Sequence, residues 1–177
     1  MLARFVPTVM AAVVALSAGQ ACAERLIFTS ELNGAGASTA TPSKAQGRAR
    51  IVVDTDAQTV DMELVVRGLK TDELWTTLVK APIGPVHLHV YGHGSHDPDN
   101  SALAFPFPYG ASYAPTAEGF KVEAKGYRYD LSAASVGSKA SFDEFVHSMR
   151  AGDVALNIHT NAYHDGEIGG PVVAVKP

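Results

Sequence analysis

The chain of 177 residues has one cysteine, one tryptophan and few charges, with 18% of its residues Asp, Glu, Lys or Arg. A single cysteine excludes a disulfide within the chain and a four-thiolate zinc site. The 14 basic residues do not outnumber the 18 acidic ones and form no patch, which excludes an ordinary binder of the nucleic-acid backbone. Walker loops, dinucleotide fingerprints and serine nucleophile elbows are missing. The carboxylates are scattered, with no pair placed to flank a substrate. A disordered or acidic solvating tail is excluded as well, because 46% of the residues are hydrophobic and can build a core. What the chain does have is histidine, seven in all.

The one long apolar run, Phe5–Ala18, is too short to span a bilayer comfortably. Arg4 precedes it, and Ala21-Cys22-Ala23 follows as a small-x-small cleavage site. This pattern predicts a signal peptide over residues 1–23, cut before Glu24. Gly19 stands where a lipobox has leucine, so Cys22 leaves with the signal. The expected product is a periplasmic or secreted protein with no membrane span after cleavage, residues 24–177 forming one domain without cysteine.

Beyond the signal the dominant hydrophobic period is two. Arg48–Val53 and Val60–Val66 form an expected hairpin around Asp54-Thr55-Asp56, with Val60, Met62, Leu64 and Val66 on one face. Further strands are expected at Leu26–Thr29, Trp75–Lys80, Val86–Tyr91, Ala102–Phe107, Phe120–Ala124, Val154–His159 and Pro171–Val175. Ala35–Gln46 reads as a small-residue loop, and Gly92–Gly119 as long loops around one strand. One helix is expected near residues 142–150, opened by the capping box Ser141–Glu144 and ended at Gly152. Its apolar face is Phe142, Phe145, Val146 and Met149. The expected fold class is all-β, an antiparallel Greek-key β-sandwich with that single short helix.

The histidines carry the chemistry. Alternation in Val86–Tyr91 puts His87, His89 and Tyr91 on one face and Val86, Leu88 and Val90 on the other. Val154–Thr160 repeats the arrangement, with Leu156 and Ile158 opposite Asn157 and His159. If the two strands are neighbours, His87, His89 and His159 converge on one side as a three-imidazole metal site. Copper is the expected metal, since bare imidazole sites bind it most tightly among divalent ions, and zinc is the alternative. His93, His96 and Asp97 in the following loop, and His164 in the turn Asn161–Asp165, are candidates for completing or bridging a second site. His147 falls on the polar face of the helix. The competing reading makes all of these solvated or hydrogen-bonded side chains facing water. Asp97-Pro-Asp-Asn100 is not an EF-hand loop, because Ala102 and Pro108 stand where the glycine and glutamate belong.

With these residues in hand, the chain resembles the chordin-type (CHRD) domain family. Ala155-Leu-Asn-Ile-His-Thr160 followed by Asp165-Gly-Glu-Ile168 is similar to that family's closing pattern, His87-Leu-His89 to its His-x-His element, and Ala102–Phe107 to the strand that follows. The likeness extends over residues 25–177. Departures are Asn33-Gly-Ala-Gly36 in place of an Asn-Glu-Val-Pro-Pro segment, Gly169 in place of an arginine, and the added His93 and His96. The resemblance implies a β-sandwich from extracellular or exported proteins. The His-x-His strand with a distant third histidine is also loosely similar to the copper-ligand layout of copper–zinc superoxide dismutases. The sequence thus offers a metal-binding exported domain that binds, stores or delivers copper, with superoxide-type oxidoreductase chemistry open to it. Its alternative is a non-metal interaction module that presents Gly92–Gly119 to a protein partner, and a homodimer is compatible with either.

Overall fold

The computed structural model describes residues 24–92 and 101–176. The expected signal peptide, Cys22, His93, His96 and Asp97 lie outside those residues. The described elements begin with β1 (Arg25–Asn33), β2 (Gln46–Asp54), β3 (Thr59–Arg67), α1 (Thr76–Val79), β4 (Val86–Tyr91), β5 (Ser101–Phe107) and β6 (Tyr113–Pro115). They continue with β7 (Gly119–Arg128), α2 (Tyr129–Ser135), α3 (Phe142–Ala151), β8 (Val154–Ile158), β9 (Ile168–Pro171) and β10 (Val173–Ala174).

The expected hairpin forms as β2 and β3, which pair antiparallel from Gln46↔Arg67 to Asp54↔Thr59. Asp54 closes its turn by accepting the Ala57 amide at 2.9 Å. Val60, Met62, Leu64 and Val66 all point inward with at most 1% exposure, while Asp61, Glu63 and Val65 point outward. Every strand pair is antiparallel, in the order β5-β4-β8-β9-β1-β2-β3-β7-β6, with β10 added against β1. The passages from β3 to β4 and from β7 to β8 leave the neighbouring-hairpin pattern and cross the fold, the Greek-key habit. The sheet curls until its two ends approach, and the Tyr113 hydroxyl of β6 donates to the Phe107 carbonyl of β5 at 2.7 Å. Phe28, Ile51, Met62, Leu88, Phe105, Phe120 and Leu156 meet in the enclosed core. The fold is all-β, as the alternation predicts.

Helix α3 matches its sequence signature. Ser141 and Glu144 form the reciprocal capping box, Gly152 takes the left-handed C-cap at φ 80°, and Phe142, Phe145, Val146 and Met149 are buried. It is not the only helix, however. Trp75–Lys80, expected as a strand, contains the helical turn α1. Asn161 fixes that turn from 85 residues away, its Oδ1 accepting both the amide and the hydroxyl of Thr76 at 3.0 and 3.1 Å. A long-range cap overrides local β-propensity there. Helix α2 buries only Tyr129 and Ala133, and Leu131 is exposed, so it carries no apolar stripe that a sequence reading could find. Strand β6, three residues long, sits inside a span expected as loop. The expected last strand, Pro171–Val175, divides into β9 and β10 around the buried Val172.

Candidate metal centre

Strands β4 and β8 are direct neighbours, with Val86↔Ile158, His87↔Asn157 and Leu88↔Leu156 in register. The pairing continues as the His159 amide donates to the Pro85 carbonyl at 2.9 Å. His159 therefore stands diagonally beside His87 on the face opposite the Leu88–Leu156 core. The rings of His87 and His159 stack at 4.4 Å, and His89 lies 4.8 Å from His87. One ring nitrogen from each of the three histidines falls within 4.8 Å of the others. No carboxylate joins the group among the described residues.

This face is dry. His87 is 2% exposed, Asn157 1% and His159 6%, so these side chains do not face water, and the competing reading keeps only its hydrogen-bonded form for His87 and His159. The cover comes from segments on either side. Ser38 bonds the Tyr91 hydroxyl at 3.0 Å and accepts from Asn157 Nδ2 at 2.9 Å. Glu167, itself buried, accepts the Ser43 hydroxyl with one carboxylate oxygen and the Thr160 hydroxyl with the other, both at 2.7 Å. Thr41 donates to the Glu167 carbonyl, also at 2.7 Å. The small-residue loop after β1 is thus laced by hydroxyl groups onto the Glu167 segment. Tight backbone contact completes the seal. A Cβ at Gly36 would strike the Gly169 carbonyl, and a Cβ at Gly169 would strike Asn157 Oδ1.

Two of the rings are oriented by backbone carbonyls. Carbonyl oxygens only accept, so His87 Nδ1–H donates to Gly84 at 3.0 Å and His159 Nδ1–H donates to His164 at 2.6 Å. Both rings keep Nε2 as a lone-pair donor aimed away from those bonds. His89 Nδ1, His89 Nε2 and His159 Nε2 are buried without a hydrogen-bond partner. Buried polar atoms left unpaired are costly, each worth about 1–3 kcal/mol. Asn157 Oδ1 is unpartnered as well. In the neutral rings one His89 nitrogen and His159 Nε2 carry free lone pairs, which suits a ligand that accepts them.

Burial holds all three rings neutral. It pushes His87 well below the ordinary imidazole value, helped by the neighbouring His159 and His89. Burial and His159 lower His89 to about 4. Burial lowers His159 too, against the opposing pull of the His164 carbonyl and the Asp165 charge. Unfolded imidazoles titrate near 6.5, so between pH 6.5 and about 4 the unfolded chain binds more protons than the folded one. With a chelator present, stability should therefore fall as pH drops through that window, by about 3 kcal/mol from His89 alone. Urea unfolding at pH 7, 5.5 and 4.5 measures this, and a flat profile would contradict the buried neutral rings.

The remaining candidates separate from the triad. His164 contributes its carbonyl to His159, but its exposed ring stacks on Trp75 at 4.3 Å. His147 is exposed on α3. Sequence reasoning did not find Gly84, Trp75, Ser38 or Glu167 as parts of this region. Only Glu167 had a local signal, its place in the Gly-Glu-Ile motif.

A curled antiparallel all-β domain with a histidine cluster on two adjacent strands is the class these observations define. The CHRD domain family profile matches residues 28–172, and the chain belongs to that family. CHRD domains are typically extracellular modules. No curated protein and no solved structure matches the chain. Among the described residues no helix is long and apolar enough to cross a membrane.

Proposed function

We propose that this CHRD domain is an exported metal-binding module that holds copper, with zinc second, on His87, His89 and His159. The observation that carries the reading is the convergence of one ring nitrogen from each of His87, His89 and His159 within 4.8 Å, those of His89 and His159 buried without a partner. A metal ion supplies the partner these nitrogens lack. The donor set is imidazole alone, which suits copper and zinc and disfavours the oxygen-seeking calcium and magnesium. Copper stands above zinc in divalent affinity for such donors. Because burial already keeps the rings neutral, uptake at pH 7 displaces few protons. The backbone carbonyls of Gly84 and His164 orient two ligands and raise their basicity, as outer partners do in metal sites. Binding, storage or delivery of the ion follows from these features, and a signal peptide, expected from the sequence of residues 1–23, supports an activity outside the cytoplasm.

The single tryptophan supplies the assay. Trp75 stacks on His164, and its amide donates to the His159 carbonyl at 3.1 Å, so its indole is one residue removed from the site. Titrating copper(II) into the purified protein should quench Trp75 fluorescence to an end point at one equivalent, and elemental analysis after desalting should return one copper per chain. Zinc should compete without quenching. A protein that stays empty after loading with either metal contradicts the proposal and leaves the interaction-module reading.

A further inference from the structure

The three imidazoles are not held alike. His87 and His159 are each tied to a backbone carbonyl, whereas both His89 nitrogens have no hydrogen bond at all. We propose that His89 is the exchange ligand of this site: His87 and His159 form a fixed pair that captures the ion, and His89 closes on it and opens to release it. The metal is then transferable cargo and not a permanent cofactor. This rests on the metal-binding reading above.

Spacing supports the assignment. The His89 ring centre lies 6.2 Å from that of His159, while His87 already lies at 4.4 Å. His89 is therefore the outlying ring of the three, and no hydrogen bond has to break for it to move. The backbone beneath it is irregular as well. Leu88 faces Phe105 but His89 faces Leu103, so Ala104 of β5 is left out of register at that point. Bulges of this kind loosen the ladder and re-aim side chains beside functional sites. His89 is also the least buried residue of the three, with both ring nitrogens still covered.

The test is release of copper(II) from the loaded full-length mature protein into excess EDTA, followed by recovery of Trp75 fluorescence. Wild type, His89→Ala and His87→Ala are compared, with thermal melts of the metal-free proteins as a folding control. His89→Ala should still take up one copper but release it at least about tenfold faster, whereas His87→Ala should take up none. His89→Gln, which keeps much of the side-chain volume, serves if the alanine variant does not fold and should show the same fast release. Loss of uptake in the His89 variants equal to that in His87→Ala overturns the exchange role, as does release at the wild-type rate. If wild type takes up no copper, the metal-binding reading itself fails, an outcome distinct from both.

Discussion

His87→Ala and His159→Ala should each abolish stoichiometric copper uptake, lowering affinity by about 100-fold or more in a competition titration against a chelator of known strength. These two rings are the oriented part of the site, each with Nδ1 committed to a carbonyl and Nε2 left for the ion. Removing either leaves one oriented donor, and the replacement cannot be recruited locally. His164 is turned outward against Trp75, and no carboxylate lies in the group among the described residues. Glu167 is taken up by Ser43 and Thr160. The fold should survive, because the apolar cores of β4 and β8 are on the opposite face, with Val86, Leu88, Leu156 and Ile158 fully buried there. A metal-free melting temperature within a few degrees of wild type, together with lost copper, identifies the effect as ligand loss. Retention of one tightly bound copper in both variants would falsify the three-histidine assignment.

Gly84→Ala should damage fold and site together. Gly84 has φ +70°, in the left-handed region that residues with a Cβ rarely adopt. The added methyl would also run into the Phe107 carbonyl and the Pro108 Cα, which are backbone atoms with no freedom to swing aside. Strain of this kind should cost on the order of 3 kcal/mol, lowering the melting temperature by roughly 10 °C in a domain of this size. Its carbonyl moves with it, and that carbonyl is the acceptor for His87 Nδ1. Copper affinity should accordingly fall by about 10- to 100-fold even at a temperature where the variant is folded. Gly110→Ala is the matched control, since a Cβ there meets nothing within 4 Å. Calorimetric melts and chelator competition on both variants give the two readouts. Equal behaviour of the two glycine substitutions would contradict the account.

Alternation made the hairpin of β2 and β3 legible, and it put His87 and His89 on one face of their strand and His159 on the polar face of its own; the pairing of β4 with β8 then brings the three together. The capping box did the same for α3. Both signals are local, which is why they survive in one sequence. The α1 turn was not legible, because the group that caps Thr76 is Asn161, far away in the chain. Strand β6 and helix α2 were too short or too weakly patterned to register. The largest gap concerns the dryness of the histidine face. In sequence, Ala35–Gln46 is a loop of small and polar residues, and nothing in its composition says that Ser38, Thr41 and Ser43 fasten it over the neighbouring strands. Polar faces of antiparallel strands ordinarily meet water. A covering loop, invisible to periodicity, turned a polar face into a buried one and left imidazole nitrogens without partners.

The two glycines that meet beneath this cover are Gly36 and Gly169, which stand at two of the places where the sequence differs from the pattern it resembles. Each backbone lies where the other would need a side chain, so neither position has room for a Cβ. Any side chain at 169 would press on Asn157 of β8 and on the Gly36 and Ala37 backbone together, so this one position ties the covering loop to the strand that carries the histidine face.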